Sequence, residues 1–244
     1  MGKTVFIFLL LALPFVLQAK IYAVLVGISE YATQANNLTY CHRDAMEMYE
    51  ILKGYTAPNQ IILLTDKNAK LDNIVYQTRQ LFQKAQPEDV VIFFFSGHGD
   101  KNVFCAHDKN LHFSALQRIF KQTKAKRKMI FADACHAGTL RQSSSQAATG
   151  TTGVGSNVML FLSSRSAQTS RQRLDLRNGL FTYFLLAALR GGADFNRDKY
   201  ITAKELFDFV NPKVKENSGG KQVPVMWGKF DEQMIILNLN TNRY

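Results

Sequence analysis

The sequence predicts an α/β sandwich: a six-stranded, mostly parallel sheet flanked by helices on both faces. Three observations carry that prediction. Short runs rich in β-branched and aromatic residues recur along the chain, and stretches of helical period separate them. The runs are apolar at nearly every position instead of alternating, as strands covered on both faces must be. The 244 residues are 46% hydrophobic and 20% charged, ordinary globular composition in a chain long enough to bury a large core.

Taken in order, residues 1–19 stand apart. Lys3 precedes an apolar run from Val5 to Leu17 that ends at Gln18-Ala19. The run is shorter than the roughly 20 residues a membrane-spanning helix needs, and Pro14 interrupts it, so it reads as a signal peptide. The product is expected to be exported, periplasmic or secreted, with no stable membrane anchor once the leader is removed. No Cys follows the run to take a lipid. Residues 20–244 are then one domain.

Strands are predicted at Ile21–Ile28, Gln60–Leu64, Val90–Phe95, Lys128–Ala132 and Val158–Leu162, with a final run, Met234–Leu239, closing the sheet. Helical spacing marks Asp44–Lys53, Leu71–Ala85, Leu111–Phe120 and Leu180–Leu189, the last ended by Gly191-Gly192. Strand and helix alternating in this way implies right-handed crossovers. Residues 141–157, Arg141 to Asn157, break the pattern with Ser, Thr, Gly, Ala and Gln; they read as an active-site loop, a cleavage-sensitive linker or a tolerated surface insertion.

The formal charge of +11 raises a nucleic-acid partner, but the basic residues are mostly dispersed. The one dense cluster, Lys121, Lys124, Lys126, Arg127 and Lys128, lies where a helix hands over to a strand and has no interleaved aromatics. It reads as a solvated helix end, and no nucleic-acid partner is expected. Three cysteines leave at least one thiol unpaired within the chain.

The chemistry gathers at two strand ends. Val90–Phe95 stops at Ser96-Gly97-His98-Gly99, and the following strand stops at Asp133-Ala134-Cys135-His136-Ala137-Gly138. Open parallel sheets keep functional groups at their carboxyl edge. If the two strands are neighbours, His98 faces Cys135. An imidazole can take the thiol proton, making the thiolate nucleophile, and later protonate the leaving amine. Glycines at 97 and 99 would let a substrate backbone approach, leaving the amides of Gly99 and Cys135 to donate to a developing oxyanion.

These motifs, with Ser163-Ser164-Arg165-Ser166 and Gly179-Leu180-Phe181-Thr182-Tyr183-Phe184-Leu185, resemble the caspase-like cysteine peptidases, and most closely the metacaspase branch. The resemblance covers nearly all the chain after the leader. It implies the caspase-like three-layer sandwich, with a large-subunit-like part over 20–140, the loop 141–157 and a small-subunit-like part over 158–244. It implies His98 as general base and acid, Cys135 as nucleophile, and Gly99 with Cys135 as oxyanion donors. Caspases carry Gln two residues before the Cys; this chain has Asp133. Metacaspases place an aspartate shortly after the first strand, and Asp44 matches it. Two carboxylates at one pocket want a cation, so peptides and proteins with Arg or Lys at P1, the residue before the cut, are the expected substrates, with Ser96 a third candidate member of that pocket. A plain helix-N-terminal role for Asp44 remains the alternative. A basic residue such as Arg141 would fit the enzyme's own pocket, so self-processing follows as an expectation. A monomer is expected.

Asp194-Phe195-Asn196-Arg197-Asp198-Lys199 continues to Glu205 at the twelfth position, a calcium-loop spacing. Lys199 stands where that loop normally takes Gly, so a structural turn is favoured over a calcium site at Asp194, Asn196, Asp198 and Glu205. Many metacaspases use calcium at a different acidic loop, and only Asp100 and Asp108 stand in the corresponding region here. His42, Cys41, Cys105, His107 and His112 match no common zinc spacing. No cofactor is required on this reading. A non-catalytic binding module of the same fold and a calcium-regulated protein are the competing functions.

Overall fold

The computed structural model describes residues 19–100, 102–134, 158–163 and 177–241. Residues 1–18 of the leader and the loop 141–157 lie outside them. Among the described residues no helix is long and apolar enough to cross a membrane.

A six-stranded sheet forms the middle layer. Its strands are β1 (Ile21–Gly27), β2 (Ile61–Thr65), β3 (Val90–Gly97), β7 (Arg127–Ala134), β8 (Val158–Leu162) and β10 (Val225–Trp227), in spatial order β10-β8-β7-β3-β1-β2. All neighbours run parallel except β10, which is antiparallel to β8. A three-stranded antiparallel ribbon follows β3: β4 (Gly99–Asp100), β5 (Val103–Cys105) and β6 (Asn110–His112). Helices are α1 (Cys41–Leu52), α2 (Leu71–Phe82), α3 (Phe113–Gln122), α4 (Leu180–Ala187) and α5 (Ala203–Asn217).

The continuous apolar runs have a simple cause. Alternate residues of each strand feed two separate cores. Val24, Val26, Val91, Phe93, Phe95, Ile130 and Leu160 pack with Ile74 and Phe82 of α2 and Leu116 and Phe120 of α3. Their neighbours Ala23, Leu25, Ile92, Phe94, Phe131 and Phe161 pack with Met48 of α1, Leu185 of α4 and Val210 of α5. A strand buried on both faces has no polar side to show.

The sequence misplaced the closing strand. Ile235–Asn238 (β11) pairs antiparallel with β9 (Tyr200–Thr202) in a separate ribbon, and the sixth strand of the main sheet is the short β10. The run is apolar because Ile236 and Leu237 bury against the α4 and α5 side of the sheet, not because it joins the sheet. The third helix starts two residues later than its periodicity suggested, Leu111 belonging to β6. α5 was not foreseen. Its capping box explains its start: Thr202 Oγ1 accepts from Glu205 N, and Glu205 Oε2 accepts from Thr202 N. Glu205 is thus used as a helix cap.

Candidate active site

β3 and β7 are parallel neighbours in register, with Ser96 opposite Asp133 and Gly97 opposite Ala134. His98 and Cys135 are the next residues on these two segments. Cys135 itself lies outside the described residues, as do His136 and Ser164–Ser166.

The polar residues follow from strand phase. Phe94, Phe131 and Phe161 form one rung across three strands on the α1 and α4 side. Two residues on, the same face carries Ser96, Asp133 and Ser163, and all three are fully buried. A row of large aromatics thus ends in a row of buried polar groups, where α1 brings Asp44, itself 1% exposed.

Each carboxylate accepts hydrogen bonds from hydroxyl and amide groups. Asp44 Oδ2 accepts from Ser96 Oγ at 2.6 Å, while Asp44 Oδ1 accepts from Asn178 Nδ2 at 3.0 Å and Gly179 N at 3.1 Å. Asp133 Oδ1 accepts from Ser163 Oγ at 3.0 Å, and its Oδ2 accepts from Thr182 N at 3.2 Å and Thr182 Oγ1 at 3.0 Å. Burial, and then the nearby negative charge of Asp133, push the Asp44 carboxyl up from 3.8 to about 7; the donors Ser96, Asn178 and Gly179 only partly offset this. None of the donors to Asp44 recorded here comes from its own helix; two come from the approach to α4. Asp44 does stand in the first turn of α1, where the dipole favours an acid, and it is bound from outside that helix as well.

Asn178, Gly179, Thr182 and Ser163 were missed as site residues. Ser163, Gly179 and Thr182 stand in the two motifs that carry part of the family resemblance, but that resemblance assigned them no site role.

His98 leaves β3 with its Nε2 2.7 Å from the carbonyl oxygen of Asn36. A carbonyl only accepts, so Nε2 carries the hydrogen and, in the neutral ring, Nδ1 holds the lone pair. His98 N donates to the Tyr31 hydroxyl at 2.7 Å. Gly99 opens β4 opposite Phe104. The space beside Gly97 is not free for a substrate: a Cβ there would lie 2.7 Å from Tyr31 Oη and 3.0 Å from the Phe95 ring. Packing, not substrate approach, accounts for this glycine.

The Asp194 turn closes largely on itself. Asp194 Oδ2 accepts from Lys199 N, Asn196 Oδ1 from Asp198 N, and Asp198 Oδ1 from Tyr200 N. Arg197 and Lys199 adopt positive φ, 61° and 70°. Asp194 Oδ1 is buried without a hydrogen-bond partner. Among the described residues, no three His, Cys, Asp or Glu are grouped to hold a metal.

Residues 20–234 match the family model of the caspase domain. Metacaspase-1 of Candida glabrata is 34% identical over 85 residues, covering 32% of this chain and 21% of that protein. Metacaspase-1 of Schizosaccharomyces pombe is 36% identical over 90 residues, covering 34% and 21%. The chain thus matches only about a fifth of the length of these relatives. Caspase-1 of Spodoptera frugiperda has the same fold, with a TM-score of 0.66 at 16% identity over 89% of each chain.

Proposed function

The chain belongs to the caspase-domain peptidase family, and from that premise we propose that it is a cysteine endopeptidase cutting after Arg or Lys through a Cys135/His98 dyad. The observation that carries the proposal is the pairing of β3 with β7, which sets Gly97 opposite Ala134 immediately before the two residues concerned. His98 Nδ1 takes the Cys135 proton, the thiolate attacks the scissile carbonyl, and the imidazolium returns the proton to the leaving amine. A thioester acyl-enzyme remains, which water hydrolyses. The amides of Gly99 and Cys135 are the donors assigned to the oxyanion.

Asp44, Asp133 and Ser96 form the P1 pocket. Supporting that role is the pair of buried carboxylates that the fold brings together at the end of the sheet. A bound guanidinium or ammonium would complement these two acids. The enzyme is proposed to be exported, to act as a monomer, and to process itself at Arg141 or a nearby basic residue, Arg141 and the Ser/Gly-rich loop that follows it lying outside the described residues.

A panel of fluorogenic peptides differing only at P1 tests the reading. Turnover of Arg and Lys peptides is expected, with none for Asp, and equal rates with and without millimolar calcium if Asp194–Glu205 is a structural turn. Cys135→Ala incubated beside the wild type should give no turnover and no self-fragmentation. Preference for Asp at P1, or identical fragmentation of both proteins, would overturn the corresponding assignment.

A further inference from the structure

Tyr31 is a buried aromatic residue with no part in the reaction drawn above, yet it touches His98 in two ways. Its hydroxyl oxygen accepts the His98 backbone N–H at 2.7 Å, and its ring lies 5.0 Å from the imidazole, tilted by 47°. The same oxygen occupies the space beside Gly97.

The loop around Tyr31 is tied at both ends. Tyr31 N donates to Asn37 Oδ1 at 2.9 Å, and Leu38 N donates to Ser29 O at 2.8 Å. Asp66 Oδ1 accepts from Ser29 N at 2.7 Å and Glu30 N at 2.9 Å. Asn36, beside Asn37, supplies the carbonyl that holds His98 Nε2. One loop between β1 and α1 therefore grips the histidine at its main chain and at the far edge of its ring.

We propose that Tyr31 is a positioning residue for His98: its hydroxyl fixes the histidine main chain and its ring fixes the plane of the imidazole, so that Nε2 stays on Asn36 and Nδ1 keeps the lone pair that accepts the proton. This rests on the reading of His98 as the general base. An imidazole anchored only at Nε2 could swing about that contact whenever the main chain shifted. Held at both points, it keeps a single orientation. Burial raises the phenol pKa, so the hydroxyl stays neutral throughout the working pH range.

Tyr31→Phe removes the oxygen and keeps the ring. For the best basic-P1 peptide, kcat is expected to fall about ten- to a hundredfold with KM within twofold of wild type, the pattern of a misplaced base and not of a damaged pocket. Nitrogen-15 NMR of the imidazole should show a single tautomer protonated at Nε2 in the wild type and exchange between tautomers in Tyr31→Phe. Asn37→Ser, at an exposed position, should produce the same two changes more weakly, and decides the matter if Tyr31→Phe does not fold. An unchanged kcat together with an unchanged tautomer overturns the proposal. A wild type that cleaves no peptide defeats the peptidase reading instead; the NMR signal then decides the positioning role alone, exchange in the variants supporting it and a fixed tautomer refuting it.

Discussion

Replacing Asp44 by asparagine is expected to raise KM for Arg peptides about a hundredfold while leaving the protein no less stable at pH 8. The first half follows from charge. A charge-assisted hydrogen bond to a buried carboxylate is worth roughly 2–3 kcal/mol, and each ~1.4 kcal/mol is a factor of ten. The second half follows from linkage. The Asp44 carboxyl is pushed from 3.8 in the unfolded chain to about 7 in the fold. Below pH 3.8 it is protonated in both states. Between 3.8 and about 7 it is protonated only when folded, so native stability falls as pH rises through that window.

Asparagine does not ionise and escapes this loss. Its carbonyl can still accept from Asn178 and Gly179, and its amide can donate to Ser96. Thermal midpoints of the two proteins should therefore diverge in the variant's favour from pH 4 to pH 8. In the wild type a cationic P1 group binds best to the ionised carboxyl, so KM should fall as pH rises through about 7. A variant that melts earlier at pH 8 with KM unchanged would mean that Asp44 serves the fold and not the substrate.

The two strand-end motifs stood out as candidates because a polar, glycine-containing stretch follows a buried apolar run twice, at Ser96–Gly99 and at Asp133–Gly138. Asp133 and Ser96 stood out in the same way, and the fold sets them opposite one another as buried polar residues. The other donors to the two acids did not stand out, because they come from far along the chain: Thr182 is 49 residues from Asp133, and Asn178 is 134 from Asp44. Short-range pattern carries no record of such pairings. Five of the six central strands were legible from their apolar runs. The sixth failed because β10 has only three residues, all partly buried, whereas the more apolar β11 covers a helix-side core. α5 was obscured by Pro212 within it and by the metal-like spacing of the residues before it. Glu205 belonged to both patterns, and the capping box is where the structure uses it.

Gly27→Ala is expected to be the most damaging single-methyl change near the site. Gly27 ends β1 on the face that meets α1, and a Cβ there would lie 2.2 Å from the Cys41 carbonyl oxygen and 2.7 Å from Ala45 Cβ. The first atom is main chain and cannot swing aside, so α1 must move. Overpacking of this kind costs about 3 kcal/mol or more, which for a domain of this size lowers the melting temperature by on the order of 10 °C. The first turn of α1 holds both Cys41 and Asp44. Displacing it also lengthens the Ser96–Asp44 hydrogen bond of 2.6 Å, so KM for Arg peptides should rise in the protein that remains folded. The pair of outcomes separates the two variants. Asp44→Asn loses P1 recognition without losing stability, whereas Gly27→Ala loses both. A Gly27→Ala protein with wild-type melting temperature and KM would show that α1 does not press on β1 closely enough to set the pocket.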